Sequence, residues 1–198
     1  MSDGISIGIV GAGLGGMTAA VALQQRGFQK ITVFEQASQL GEIGAGITVG
    51  PNITLILAGL GLEDAAESFA SATTTFGTNH YQTGERILFT ERSIEEALAN
   101  RGAVVRHLHR ADLHKVLENA FNAEGNALRL NHTLKHIEQD AVDQEDGGVT
   151  LHFTNGATER CDVVIACDGL KSVVRDTLFD TQQPTFTGFL TWRGLVEA

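Results

Sequence analysis

The residues Gly11-Ala12-Gly13-Leu14-Gly15-Gly16 have the types and spacing of a phosphate-holding turn. Gly11 permits a tight reversal, Gly13 lets a pyrophosphate approach the backbone with no side chain in the way, and Gly16 allows the next helix to pack closely on the preceding strand. The N-terminus of that helix offers N–H groups and the positive end of its dipole to the phosphates. A glycine pattern alone is common, so the flanks decide. An apolar run at 5–10 precedes this one and a helical run at 14–26 follows it. Glu35 closes a second apolar run, 30–34, about 20 residues further on, where a carboxylate accepts hydrogen bonds from ribose hydroxyls. The joined pattern predicts dinucleotide binding, and a glutamate at this place disfavours a ribose 2′-phosphate. Glu35→Ala is expected to weaken cofactor binding far more than folding.

A second constellation is Asp168-Gly169, delivered by the apolar run 162–166 to the start of a helix over 171–178. A lone Asp-Gly is commonly only a turn. An aspartate beside a pyrophosphate repels it unless a donor holds the carboxylate. Asp168 is therefore expected to cap the helix or to pair with Arg175, while Gly169 lets the backbone approach a ligand. Cys161 and Cys167 flank the same run, too far apart along a strand to bond to each other. They read as buried thiols in a reducing cytoplasm. His107 and His109 share a strand face and His114 lies on the next helix, with no carboxylate set at ligand spacing, so ordinary polar or core histidines are expected and no metal.

These residues need elements to hold them. The strand–helix–strand order over 5–34 is the unit of a parallel sheet. The glycine-rich stretch 36–52 reads as one long functional loop, followed by a helix through Leu60 that Asn52 caps. Strands are expected at 72–79, 86–89, 104–108, 128–130, 134–138 and 149–153, a helix at 111–123, a turn at 143–148 and a last strand at 187–196. No repeat interrupts this order. With 198 residues and 42% hydrophobic residues, the chain can bury a substantial core. Its net charge of -10 argues against non-specific nucleic-acid binding and gives no pull towards an anionic membrane. The uncharged stretch 5–23 has no basic residue ahead of it and is crowded with glycine, so a strand, turn and helix explain it better than a signal peptide or membrane span.

The two constellations together resemble the single-component FAD-dependent aromatic-ring hydroxylases of the para-hydroxybenzoate and salicylate hydroxylase type. Three further features carry the resemblance over essentially the whole chain. Gly44-Ala45-Gly46-Ile47 with Pro51-Asn52 is similar to the loop that passes the flavin ring. His109-Arg110-Ala111-Asp112-Leu113 is similar to a motif whose arginine holds FAD, with a helix cap or salt-bridge partner as the lesser alternative for Arg110. Thr191-Trp192-Arg193-Gly194 is similar to the strand that begins the substrate sheet; Arg193 is either a substrate contact or a sheet-edge charge.

The resemblance implies an α/β fold: a Rossmann-type FAD-binding domain of three-layer ββα topology, plus the beginning of a mixed substrate-binding sheet. It implies residues 1–71 and 93–181 for the first and 72–92 and 182–198 for the second. The implied cofactor contacts are Gly11, Gly13, Leu14, Gly15, Gly16, Glu35, Gln36, Ala45, Gly46, Ile47, Arg110, Leu134, Asp168 and Gly169. The implied activity is hydroxylation of a small phenolic-acid-like aromatic, with NAD(P)H and O2 as co-substrates, in the cytoplasm. A non-hydroxylating FAD oxidase or reductase, or a non-catalytic FAD-binding fragment, stays open as an alternative, and no catalytic acid or base is identifiable. The family's third motif, a Gly-Asp whose aspartate holds the ribityl chain, does not occur before Ala198. The expectation is therefore a fragment or a natural truncation, unstable and inactive by itself. It would aggregate or form a homodimer through apolar faces at Leu190, Trp192 and Leu195.

Overall fold

The structure is a computed structural model that describes residues 4–41, 45–72, 74–91, 93–102, 104–121, 126–140, 147–179 and 184–191. The chain divides into two compact units, Met1–Gly41 with Leu117–Gly194 and Glu42–Val116 with Leu195–Ala198. The first unit opens with β1 (Ser6–Val10), α1 (Leu14–Gln25) and β2 (Lys30–Phe34). The second holds β3 (Gly46–Val49), α2 (Pro51–Gly59), α3 (Glu63–Glu67), β4 (Ser71–Ala72), β5 (Thr75–Asn79), β6 (Arg86–Glu91), α4 (Ile94–Arg101) and β7 (Arg106–His109). Helix α5 (Arg110–Ala120) returns the chain to the first unit. There follow β8 (Ala127–Arg129), β9 (Leu134–Gln139), β10 (Val149–Phe153), β11 (Thr158–Cys161), β12 (Val163–Ala166) and α6 (Val173–Leu178).

The first unit is layered as expected. Strands β12, β1, β2 and β8 form a parallel sheet in that order, and β11, β10 and β9 form an antiparallel one. Side chains alternate between the faces of a strand. Val10 and Phe34 therefore leave the parallel sheet on one face, where they join Leu134, Ile137, Leu151, Phe153 and Cys161 of the antiparallel sheet in one buried cluster. Gly8 on that face keeps the two sheets close: a Cβ there would lie 2.8 Å from the Cys161 sulfur. The opposite parity, Ile9, Ile31 and Val33, is fully buried, and α1 packs on these strands with Met17, Ala20 and Val21. Each large apolar side chain buried this way contributes about 1.5–3 kcal/mol relative to exposure, so this face fixes where the helix starts. Asp162 closes the seam between β12 and β1, accepting hydrogen bonds from the Ser6 N–H at 2.6 Å and the Ser6 hydroxyl at 2.7 Å.

Several expectations change. The stretch 36–52 is not loop throughout. It contains β3, paired antiparallel with β7 from Gly46 opposite His109 to Val49 opposite Arg106. Glycine lowers local strand propensity, and only the distant partner supplies the ladder. Helix α2 is preceded by Gly50 and has Pro51 in its first turn, so Asn52 lies inside the helix and is not its cap; proline's fixed φ suits that position. The stretch 72–79 holds two strands, β4 and β5, of which β4 pairs with β7 and β5 with β6. Helices α3 and α4 and strand β11 have no counterpart in the sequence reading, although Ser93 and Glu96 form a capping box at the start of α4. Residues 187–191 are not a strand, because no described strand pairs with them, and Phe189 and Leu190 are exposed. Trp192, Arg193, Gly194 and Leu195 lie outside the described residues, as do Gly44 and residues 143–146 of the expected turn. Cys161 is buried, but Cys167 is only half-buried, because it ends its strand beside a cleft.

Candidate cofactor site

The glycine turn is built by two different requirements. Gly11 has φ +100, and its N–H donates to the Phe34 carbonyl at 2.7 Å. A Cβ on Gly11 would lie 2.4 Å from the Cys167 carbonyl oxygen, and one on Gly16 only 1.9 Å from the Gly11 oxygen. These two glycines are demanded by the protein's own packing of β1, α1 and β12. Gly13 is different. It has an ordinary φ of -67 and no atom within 4 Å of a Cβ placed on it, yet it precedes α1 and lines a cleft. Nothing inside the protein requires glycine there. The first-turn N–H groups of α1, from Leu14 to Gly16, have no acceptor within the helix itself.

Glu35 sits just past the end of β2. One carboxylate oxygen accepts from the Ala12 N–H at 2.8 Å, and the other from the Ala37 N–H at 2.9 Å. The carboxylate thus ties the glycine turn to the end of β2. Each oxygen retains a second lone pair, so it can also receive a hydroxyl. Across the cleft, Asp168 follows β12. Its Oδ2 accepts from the Val173 N–H at 2.7 Å and the Val174 N–H at 3.2 Å, and Ser172 adds a side-chain cap to the Arg175 N–H at 3.0 Å. Of the two roles expected for Asp168, capping is the one the hydrogen bonds describe; Arg175 turns instead to Asp176 and the Leu170 carbonyl. The charge that would repel a phosphate is directed into the first turn of α6. Gly169 has φ +78, which glycine adopts freely.

These groups line one cleft of about 250 Å³, with Gly11, Gly13, Glu35, Gln36, Leu134, Asp168 and Gly169 all on its wall. The same wall carries residues that the sequence reading missed: Val10, Phe34, His132, Thr133, Cys167, Lys171 and Val173. His132 is the most informative of them. Its ring meets Phe153 edge-on, with centroids 4.9 Å apart, and its Nδ1 lies 2.6 Å from the Leu130 carbonyl oxygen. Asn131 next to it has φ 57 and turns the chain between β8 and β9. Burial, and secondarily Asp168, push the Cys167 thiol up from its ordinary value, so it remains a neutral thiol at the cleft wall.

In the second unit, the strand ladder brings two sequence motifs together. Gly46 and Ile47 on β3 lie opposite His109 and Leu108 on β7, and the Arg110 N–H donates to the Ala45 carbonyl at 3.0 Å. His107 is bonded to the Thr48 hydroxyl at 3.0 Å, and His114 is buried. Among the described residues, no helix is long and apolar enough to cross a membrane.

The chain matches the FAD binding domain family over residues 5–195. It is 36% identical over 197 residues to 6-hydroxynicotinate 3-monooxygenase of Pseudomonas fluorescens, covering 98% of this chain and 48% of that protein. It is 31% identical to salicylate hydroxylase of Pseudomonas putida, covering 98% of this chain and 44% of the relative. Among solved structures it is similar to 2,6-dihydroxypyridine-3-hydroxylase from Arthrobacter nicotinovorans, with a TM-score of 0.75 and 25% identity over 95% of this chain and 42% of that one. It is also similar to Klebsiella pneumoniae HpxO complexed with FAD and uric acid, with a TM-score of 0.73 and 29% identity over 87% and 41%. The chain spans about half the length of the curated relatives it matches.

Proposed function

The chain belongs to the FAD binding domain family, and from that membership we propose that the whole protein is an FAD-dependent monooxygenase. It hydroxylates a small, phenolic-acid-like aromatic with NAD(P)H and O2, in the cytoplasm. The observation that carries the cofactor half of this reading is the convergence of Gly13, Glu35 and Gly169 on one cleft. The open space at Gly13, where a Cβ would meet nothing of the protein, fits a ligand that must reach the backbone. The aromatic half rests on the relatives, whose names include hydroxynicotinate and salicylate enzymes.

In this reading the glycine turn and the N-terminus of α1, through Gly11, Gly13, Leu14, Gly15 and Gly16, hold the pyrophosphate. Glu35 and Gln36 hold a ribose, and Leu134, Asp168 and Gly169 border the same ligand. We assign Ala45, Gly46, Ile47 and Arg110 to the cofactor on sequence resemblance, supported by the ladder that gathers those four residues. When bound, FAD supplies the redox and oxygen-activating chemistry; the protein binds it, orients it and excludes water. Residues 1–71 and 93–181 are the FAD-binding part and 72–92 and 182–198 the start of the substrate-binding part. The exposure of Ile87 and Phe89 on one face of the β5–β6 hairpin and of Phe76 and Leu88 on the other supports that division, since exposed apolar side chains on both faces need a cover.

The test is NADH oxidation by the full-length, FAD-loaded protein over a panel of phenolic acids and hydroxylated nicotinates, with product analysis. The expected result is faster oxidation with at least one aromatic and a hydroxylated product. Oxidation that no aromatic accelerates, yielding only peroxide, would instead make the protein an oxidase.

A further inference from the structure

The antiparallel sheet of the first unit carries a cluster that the cofactor cleft does not use. Ile137 on β9 and Leu151 on β10 face the buried core, so their neighbours in each strand face the other way. On that outer face His136 stands directly opposite His152, and Glu138 is two residues along β9 from His136. The two imidazoles lie parallel, with centroids 4.2 Å apart and an interplanar angle of 5°. Nε2 of His136 is 3.3 Å from Oε1 of Glu138, and Nε2 of His152 is 3.3 Å from Oε2 of the same carboxylate. Nε2 of His152 is itself buried, and no group meets it at hydrogen-bonding geometry. A buried nitrogen left in this state is an exception that calls for a cause.

We propose that His136, Glu138 and His152 form a binding site for a divalent transition-metal ion of the zinc, nickel or copper kind. Two imidazoles and one carboxylate are a donor set for such ions, while magnesium and calcium take oxygen. Bonds of about 2.0–2.2 Å in tetrahedral geometry place neighbouring donor atoms about 3.3 Å apart. Each imidazole Nε2 already lies 3.3 Å from one oxygen of the Glu138 carboxylate, and one ligand atom from each of the three residues lies within 4.8 Å of the others. Rotation of the imidazoles and of the carboxylate brings the three donor atoms to the tetrahedral spacing. Three protein donors leave a coordination position for water. The platform is set by the strands, not by a loop: Leu151 and Phe153 alternate to the core on either side of His152, and the extra residue on β9, Lys135, lets Leu134 reach the core while His136 stays opposite His152. The nearby Arg160 is engaged by Asp140, so its charge is already countered. The site joins β9 to β10 through side chains, in addition to their backbone ladder.

Zinc titration of the full-length, FAD-loaded protein after chelator treatment tests the site by calorimetry. One equivalent of zinc is expected to bind and to raise the melting temperature. His136→Ala and His152→Ala should each weaken binding by about tenfold or more, since each removes one of three donors. In both variants the melting temperature should no longer respond to zinc. Because both side chains lie on the outer face, flavin absorbance should be retained and will show that the variants fold. Failure to take up zinc at micromolar concentration, or uptake unchanged in the His136→Ala/His152→Ala double variant, overturns the proposal. The second result would place the metal outside this cluster.

Discussion

At the scale of single residues, the glycine turn separates positions the fold needs from Gly13, which the proposed ligand needs. Gly16→Ala forces a Cβ to within 1.9 Å of the Gly11 carbonyl, a contact that only backbone movement relieves. The expected loss of stability is about 1–3 kcal/mol, read by denaturant unfolding of the full-length protein. A Cβ added at Gly13 meets no protein atom within 4 Å beyond its chain neighbours, so Gly13→Val has open space to occupy. It should keep the unfolding midpoint close to wild type while abolishing flavin retained through purification. A yellow Gly13→Val protein would remove this turn from the cofactor site. Glu35 has a structural role beside its proposed ribose contact. Its carboxylate holds the Ala12 and Ala37 N–H groups, so the expectation that Glu35→Ala spares folding needs revision. Loss of its ribose contact should cost about 1.5–3 kcal/mol in FAD affinity, and the freed N–H groups about 1–3 kcal/mol in stability. FAD titration of apo-protein beside thermal unfolding measures the two losses separately.

At the scale of elements, short helices and strand ends depend on a few carboxylates. Helix α6 has only six residues and takes two N–H groups onto Asp168 and one onto Ser172. Asp168→Ala should destabilise by about 1–2 kcal/mol, as for other lost caps, and Asp168→Asn by less. Equal and negligible effects of both on the melting temperature would deny the capping role. Asp162 makes the corresponding tie between β12 and β1. The Ser6 backbone N–H, followed by the Ser6 hydroxyl, holds its carboxyl below the ordinary 3.8. A folded pKa below the unfolded one stabilises the fold above the unfolded value, and the benefit is lost as pH falls through the folded pKa. Asp162→Asn should therefore lie below wild type in melting temperature near neutrality, and the gap should close as pH falls below 3.8. The gap should be small, because the carboxylate is largely solvated. A gap that stays constant with pH would detach it from this carboxylate.

At the scale of the whole molecule, protection should follow the layers. Strands β1, β2 and β10 carry Ile9, Ile31, Val33 and Leu151, all fully buried, and their amides should exchange with deuterium most slowly. The β5–β6 hairpin is a two-stranded ribbon with its apolar side chains exposed, a form that is marginal when isolated. If it belongs to the substrate-binding part, as proposed, its amides should be protected in the full-length protein. Rapid exchange over residues 75–91 there would sink that assignment. Much of the candidate cofactor cleft was legible in the sequence because its parts are local. The glycines, Glu35 and Asp168-Gly169 each stand at the end of an apolar run, and the backbone needs of such turns are written in a few adjacent residues. Three things required the tertiary structure. Strand β3 exists only because β7, far along the chain, supplies its hydrogen bonds. His132 reaches the cleft only because β8 pairs with β2. His136, Glu138 and His152 meet only through the register of β9 against β10. In each case the deciding contact joins residues distant in sequence, and the periodicity of a single strand carries no information about its partner.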